Sequence, residues 1–214
     1  FVDAVLGGLA PDGGLYVPET WPLIPAQEIA GFADKPYAEV AARVIGAFAG
    51  DEIAADDLLA MCREAYATFT HTAVVPLAQL GPQVFMAELF HGPSLAFKDV
   101  AMQILARLYD HILGRQDRRL TILCATSGDT GGAAVEAFRG RKTIRVVALF
   151  PEGRISEVQR RFMTTAAEGN VACVAVKGSF DDCQAIVKAA FQDQALRQAA
   201  HLTAVNSINF ARIA

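Results

Sequence analysis

LTILCATSGDTGGAAVEAF, residues 120–138, joins an uninterrupted apolar run to a helical pattern through a loop of small and polar residues. Residues 120–125 are typical of a buried parallel strand, because both faces of such a strand are covered. A helix is expected to start at Gly131 and to include Phe138. A second apolar strand is expected at residues 144–150, stopped by Pro151. The segment therefore predicts a strand–helix–strand unit.

The same alternation continues towards the C-terminus. Ser156 and Gln159 have the spacing of a capping box and predict a helix start. Strands are expected at residues 171–176 and 202–205, with a helix between them whose apolar face carries Cys183, Ile186, Val187, Ala190 and Phe191. Strands that alternate with helices require right-handed crossovers. We therefore expect a three-layer α/β fold, a mostly parallel sheet with helices on both faces.

The N-terminal part has a different pattern. Val40, Val44 and Phe48 form a helical stripe that ends before Gly50, and residues 54–67 predict another helix. A strand is expected at residues 84–90. Two regions follow from this, a mostly helical one over residues 1–75 and an α/β one over residues 76–214. The chain starts without methionine and stops within an apparent element, so we expect a fragment whose α/β region is incomplete at its C-terminus.

Composition narrows the class of protein. Hydrophobic residues make up 53% of the 214 residues and charged residues 20%, which favours a folded globular protein. A net charge of −4 without a basic run argues against a nucleic-acid partner. No apolar run is long enough to span a membrane. The four widely spaced cysteines are typical of reduced thiols in a cytoplasmic protein, and neither they nor the histidines have metal-site spacing.

A second informative segment is FHGPSLAFKD, residues 90–99. Residues 92–94 have turn chemistry, and an apolar stripe after them, at residues 100, 104, 108 and 112, predicts a helix. Lys98 therefore lies near a helix N-terminus, where the helix dipole disfavours a second positive charge. A neutral lysine amine is a nucleophile for carbonyl groups. The alternative is a solvated lysine in the first turn of a helix.

Two further groups of residues suit anions. The loop at residues 126–132 follows a strand and precedes a helix, so its backbone N–H groups and the hydroxyls of Ser127 and Thr130 could hold a carboxylate or a phosphate. A capped helix start is the alternative. The loop lacks the patterns of a dinucleotide turn, a P-loop and a nucleophile elbow. After the last strand, Asn206 and Arg212 suit phosphate recognition, with an ordinary polar loop as the alternative.

These segments resemble one family. Residues 92–99 are similar, almost residue for residue, to the cofactor-lysine motif of threonine synthases, which belong to the fold type II enzymes that use pyridoxal 5′-phosphate (PLP). Residues 8–19, 127–131, 178–184 and 206–212 resemble that family in the same order. The resemblance implies a PLP-dependent carbon–oxygen lyase that converts O-phospho-L-homoserine and water to L-threonine and phosphate.

The resemblance also implies roles for particular residues. Lys98 would hold PLP covalently and then act as general base and acid. Asp129 would face the phenolic oxygen of the cofactor. The substrate carboxylate and phosphate would be held by Thr126, Ser127, Gly128, Thr130, Asn206 and Arg212.

The family also limits what this chain can do alone. The segments that bind the PLP phosphate and the ring nitrogen come later in family members, so this fragment alone is expected to be inactive. Two alternatives stay open: a PLP-dependent serine/threonine dehydratase, and a non-catalytic homologue that binds a phosphorylated metabolite.

Overall fold

The computed structural model of the chain describes residues 1–7, 10 and 14–205. The described residues fall into two compact units, the first reaching Arg107 and the second beginning at Leu108. The division lies within one helix. The domain boundary expected between residues 75 and 76 stays a prediction.

Helices form most of the first 66 residues, as the sequence predicts. They are α1 (Val2–Gly7), α2 (Ala26–Ala30), α3 (Tyr37–Ala49) and α4 (Ala55–Tyr66). Helix α3 ends because Gly50 takes a φ of 55°, a left-handed conformation that favours glycine. Its buried side chains are Ala38, Ile45 and Ala49 rather than the predicted stripe, whose residues stay partly exposed.

Two short antiparallel strands follow, β1 (Leu77–Gly81) and β2 (Val84–Ala87). The expectation of a strand over residues 84–90 is correct in its start and too long by three residues. Strand β1 has no counterpart in the sequence prediction. All four residues of β2 are exposed, so its apolar side chains are uncovered within the described chain.

Helix α5 (Asp99–Arg115) begins where the sequence places a helix start. Three of the four residues of its predicted apolar stripe, Ile104, Leu108 and Ile112, are buried. Among the described residues, no helix has the length and apolar character needed to cross a membrane.

The second unit contains a parallel sheet of β3 (Leu120–Ala125), β4 (Ile144–Pro151), β5 (Val171–Val176) and β6 (Leu202–Thr203). Over the described residues the strand order is β5-β4-β3-β6. The connecting helices are α6 (Asp129–Phe138), α7 (Glu157–Thr164), α8 (Phe180–Gln192) and α9 (Gln194–Ala199). Right-handed crossovers in this order place α6 and α7 on one face and α8 and α9 on the other. The predicted three-layer α/β fold is confirmed.

Differences from the expected bounds are small and local. Helix α6 begins at Asp129, two residues before the predicted Gly131. Pro151 is the last residue of β4. Proline has no N–H to donate to a neighbouring strand, so the end of a strand is a position that it can occupy. Ile122, Val146 and Ala148 are fully buried in the middle of the sheet. The carboxyl ends of the parallel strands β3 and β4 lie on the same side of the sheet. The loop at residues 126–132 follows β3 there and includes the first turn of α6.

Candidate functional site

The loop before α5 holds Lys98 in a defined backbone conformation. The N–H of Leu95 donates to the carbonyl of Gly92 at 3.1 Å, and the carbonyl of Lys98 accepts from Met102 N at 2.9 Å. Lys98 is thus the residue immediately before the first turn of the helix. Leu95 has a φ of +61°, a conformation that leucine adopts only at an energetic cost. Backbone strain of this kind persists only where the surrounding structure enforces it, and it is common at ligand-binding sites.

A buried clamp fixes this loop. Asp99 is 0% exposed. Its two carboxylate oxygens accept hydrogen bonds from the backbone N of Ser94 at 2.8 Å and from the hydroxyl of Ser94 at 2.7 Å. A Cβ at Gly92 would collide with the Asp99 side chain, so glycine is required there. Asp99 belongs to the lysine motif in the sequence, but this role was not predicted. Its position as the first residue of a helix, five residues after a serine, was the available signal.

Lys98 itself is half-buried. Its Nζ lies 4.2 Å from the centroid of the Phe97 ring, within the range of a cation–π contact. Upstream, the imidazole Nε2 of His91 is 2.8 Å from Glu88 Oε2, and the carbonyl of His91 accepts from the backbone N of Thr70 at 2.9 Å. The hydrogen bond from Thr70 attaches the start of the lysine loop, residues 91–98, to the segment after α4.

The loop at residues 126–132 is organised by Thr126. This residue is 1% exposed, and its Oγ1 accepts from Gly128 N at 2.9 Å and from Gly131 N at 2.8 Å. It does the work of a helix cap from two residues before the usual position. Two of the N–H groups expected to form an anion cradle are therefore occupied by Thr126, whose hydroxyl is directed at the loop backbone.

Other groups of the loop remain available to a ligand. Ser127 is exposed, and neither its N–H nor its hydroxyl bonds to any residue that the structure describes. Thr130 is partly exposed in the first turn of α6, where N–H groups lack acceptors within the helix. Asp129 is exposed at the same helix end. The strand residue Cys124 contributes no nucleophile, since burial raises the pKa of its thiol to about 12.

Helix α7 supports the loop from outside. Its capping box is present as predicted, with Ser156 Oγ accepting from Gln159 N at 3.2 Å. The side-chain amide of Gln159 also donates to Asp129 Oδ1 at 2.7 Å. Gly128 has a φ of +129°, and a Cβ there would collide with the amide of Gln159. The spacing in the sequence predicts Gln159 only as a cap, and this second contact was not expected.

The predicted site residues are distributed over both units. Lys98 belongs to the first unit, and Thr126, Ser127, Gly128, Asp129 and Thr130 are brought together in the second. Asn206 and Arg212 lie outside the described residues. Their expected role in phosphate binding stays a prediction.

The sheet, its covering helices and a strand–helix loop rich in N–H and hydroxyl donors define an open α/β protein of the class that binds small ligands beyond the carboxyl ends of its strands. Comparisons narrow this class. The family model described as the threonine synthase N terminus matches residues 1–66. Threonine synthase of Pseudomonas aeruginosa is 49% identical over 213 residues, which cover 100% of this chain and 45% of the relative. That of Schizosaccharomyces pombe is 45% identical, with 100% and 43% covered.

Solved structures show the same similarity to threonine synthases. PLP-bound threonine synthase from Brucella melitensis superposes with a TM-score of 0.95 at 53% identity, covering 99% of this chain and 46% of that one. The yeast enzyme gives a TM-score of 0.92 at 39% identity, with 99% and 44% covered. Over its whole length the chain is similar to the N-terminal portion of threonine synthases. It spans about half the length of the curated relatives it matches.

Proposed function

We propose that the full-length protein is a threonine synthase, a PLP-dependent lyase that converts O-phospho-L-homoserine and water to L-threonine and phosphate. The observation that carries this proposal is the likeness to the PLP-bound Brucella enzyme over 99% of the chain, with 53% of residues identical. The matched region includes both the lysine loop and the loop at residues 126–132. The four free cysteines, three of them buried, favour a reducing compartment such as the cytoplasm.

The residues present fit PLP. Lys98 offers an amine on a rigid loop next to a helix start, and the buried Asp99–Ser94 clamp maintains that position. Ser127 and Thr130 supply donors of the kind that bind carboxylate and phosphate groups. When bound, PLP supplies an electron sink that stabilises negative charge on the substrate.

Each residue of the chain then has a defined task. Lys98 would hold the cofactor and then act as general base and acid: it would remove protons at Cα and Cβ of the substrate and return protons at Cγ and Cα, while water supplies the hydroxyl at Cβ. Thr126 keeps the loop in shape by accepting from the N–H groups of Gly128 and Gly131, and Ser127 and Thr130 bind the substrate carboxylate. Asp129 would interact with the phenolic oxygen of PLP. Asn206 and Arg212 bind the phosphate group that leaves.

The lysine assignment is tested with the full-length protein. Borohydride treatment after loading with PLP, followed by peptide mapping, should place the pyridoxyl group on Lys98. The sequence also contains Lys35, Lys142, Lys177 and Lys188 as internal comparisons. Label on any of these instead of Lys98 contradicts the assignment.

The reaction is tested by turnover. Incubation with O-phospho-L-homoserine should release phosphate and form threonine in equal amounts, and Lys98→Ala should abolish both. Deamination of threonine without consumption of O-phospho-L-homoserine would replace the proposal with a dehydratase. PLP binding without either reaction would indicate a non-catalytic homologue.

A further inference from the structure

Gln159 occupies two hydrogen-bonded networks at once. Its Oε1 accepts from Ser156 Oγ at 3.0 Å and from Ser156 N at 3.3 Å. Its Nε2 donates to Asp129 Oδ1 at 2.7 Å. Because Ser156 fixes the oxygen end of the amide, the NH₂ end is directed at Asp129 before any ligand arrives. The Asp129 carboxylate therefore accepts from an amide whose orientation Ser156 fixes.

The packing around this contact is tight. Gly128 has no side chain, which lets the amide of Gln159 lie directly against the loop backbone. Two residues into α6, a Cβ at Gly131 would collide with the sulfur of Met163, also on α7. Helix α7 therefore contacts the loop at two glycines and at one carboxylate. Gln159 and Met163 are the residues of α7 through which these contacts are made.

We propose that Gln159 is a positioning residue for the ligand loop, which acts by fixing the direction of the Asp129 carboxylate and the backbone at Gly128. The inference rests on the proposed function for what Asp129 touches, namely the phenolic oxygen of PLP. A capping glutamine needs only its oxygen and its backbone N–H. The second hydrogen bond, to a residue 30 positions earlier in the chain, has no part in capping.

Two reciprocal variants separate positioning from capping. Gln159→Glu keeps a capping box, since glutamate is a preferred residue at this position, but it removes the NH₂ donor and sets a second carboxylate beside Asp129. Ser156→Ala removes the capping hydroxyl but keeps the backbone N–H of Ser156, which still donates to Gln159 Oε1, so the NH₂ donor of Gln159 stays directed at Asp129. If Gln159 acts only as a cap, Ser156→Ala should weaken PLP binding more than Gln159→Glu does. If Gln159 positions the loop, Gln159→Glu should weaken PLP binding more than Ser156→Ala does.

The experiment uses the full-length protein titrated with PLP and followed by the visible absorbance and the induced circular dichroism of the bound cofactor. We expect Gln159→Glu to weaken PLP binding about tenfold or more, through loss of a charge-assisted hydrogen bond, and to change both spectra. Ser156→Ala should keep the parent spectra and a PLP affinity within about twofold of the parent's. Thermal unfolding of the PLP-free proteins confirms that both variants fold.

A third variant tests the route. In an Asp129→Ala background most of the effect of Gln159→Glu should disappear, because the hydrogen bond between residues 159 and 129 is already absent there. Additive losses would overturn the route through Asp129. Parent-like affinity and spectra in Gln159→Glu would overturn the inference while leaving the proposed function intact. A parent protein that binds no PLP would overturn the proposed function and, with it, the inference.

Discussion

At the scale of single residues, the conformation of the lysine loop depends on Gly92. In the sequence this glycine indicates only a turn, whereas in the structure it leaves space for a neighbouring side chain. Gly92 faces the side chain of Asp99, and this carboxylate satisfies two donors of Ser94 in a buried position. A side chain at residue 92 would push Asp99 away. The two Ser94 donors would then be buried without an acceptor, which costs about 1–3 kcal/mol for each unsatisfied group.

We therefore predict that Gly92→Ala destabilises the protein by about 2 kcal/mol or more and weakens PLP binding by displacing Lys98. Urea unfolding of the full-length protein and PLP titration measure the two effects. Gly114→Ala is the matched control, since nothing lies within 4 Å of a Cβ there and the residue is in α5. It should be neutral or stabilising by up to about 1 kcal/mol. Equal stability of the two variants would contradict the clamp.

At the scale of elements, the parallel strands could be predicted because burial on both faces leaves continuous apolar runs. Strands β3 and β5 have the predicted bounds, and β4 is longer by one residue. Strand β1 was missed because Leu77–Gly81 contains a polar Gln79 and is mostly exposed, so it has no burial pattern to read.

Part of the candidate site could likewise be predicted from the sequence, and part could not. Lys98 and the loop at residues 126–132 could be found because turn residues, helix starts and strand ends leave local signals. The contacts that orient them, from Asp99 and from Gln159, were missed. Each of these side chains also has a local explanation, as a helix-start acid or as a cap, and only the folded packing adds the second partner.

Helix α7 gives a prediction about pH. Hydrogen bonds from Arg160 and Arg161 lower the pKa of Glu157 from 4.5 to about 2. Because the folded value is the lower one, these bonds stabilise the folded state fully above about pH 4.5, and this stabilisation is lost as pH falls through about 2. Glu157→Gln should lower the urea midpoint at pH 7, and the difference from the parent should shrink towards pH 2.

The effect should be small, because Glu157 is exposed and solvent and salt screen it. Glu152→Gln is the control, since the Glu152 side chain bonds to no residue that the structure describes. A Glu157→Gln deficit that is the same at every pH would show that the ion pairs do not carry the effect.

The hairpin β1–β2 gives a prediction about association. Leu77, Leu80, Val84, Phe85 and Met86 are each at least 50% exposed, a cluster of apolar side chains that solvated proteins rarely leave uncovered. We expect the 214-residue chain alone to self-associate through this surface. Phe85→Lys should reduce the association measured by sedimentation. Val158→Lys, at an apolar residue of α7 that is 62% exposed, makes the same change outside the hairpin and should have little effect.

At the scale of the whole molecule, the resemblance to threonine synthases implies that residues 1–214 supply only part of what the proposed reaction needs. Lys98 and the loop at residues 126–132 would supply an amine and anion donors, and the resemblance implies that the residues that bind the PLP phosphate and ring nitrogen come later in the full-length protein. Relatives of about twice this length provide room for them. A covalent bond between an amine and an aldehyde is reversible in water, so its persistence depends on those distant anchors.

The 214-residue chain alone is therefore predicted to bind PLP weakly and to release no phosphate from O-phospho-L-homoserine. Loss of the cradle of a dianionic phosphate removes several charge-assisted hydrogen bonds, each worth about 1.5–3 kcal/mol, so the affinity for PLP should fall by at least about a hundredfold relative to the full-length protein. Titration of the visible absorbance in both proteins measures this. The Phe85→Lys form of the short chain serves as the control against loss by association. Tight stoichiometric binding with threonine formation by the short chain would mean that residues 1–214 contain the whole site, and that the anchors assigned to later sequence are dispensable.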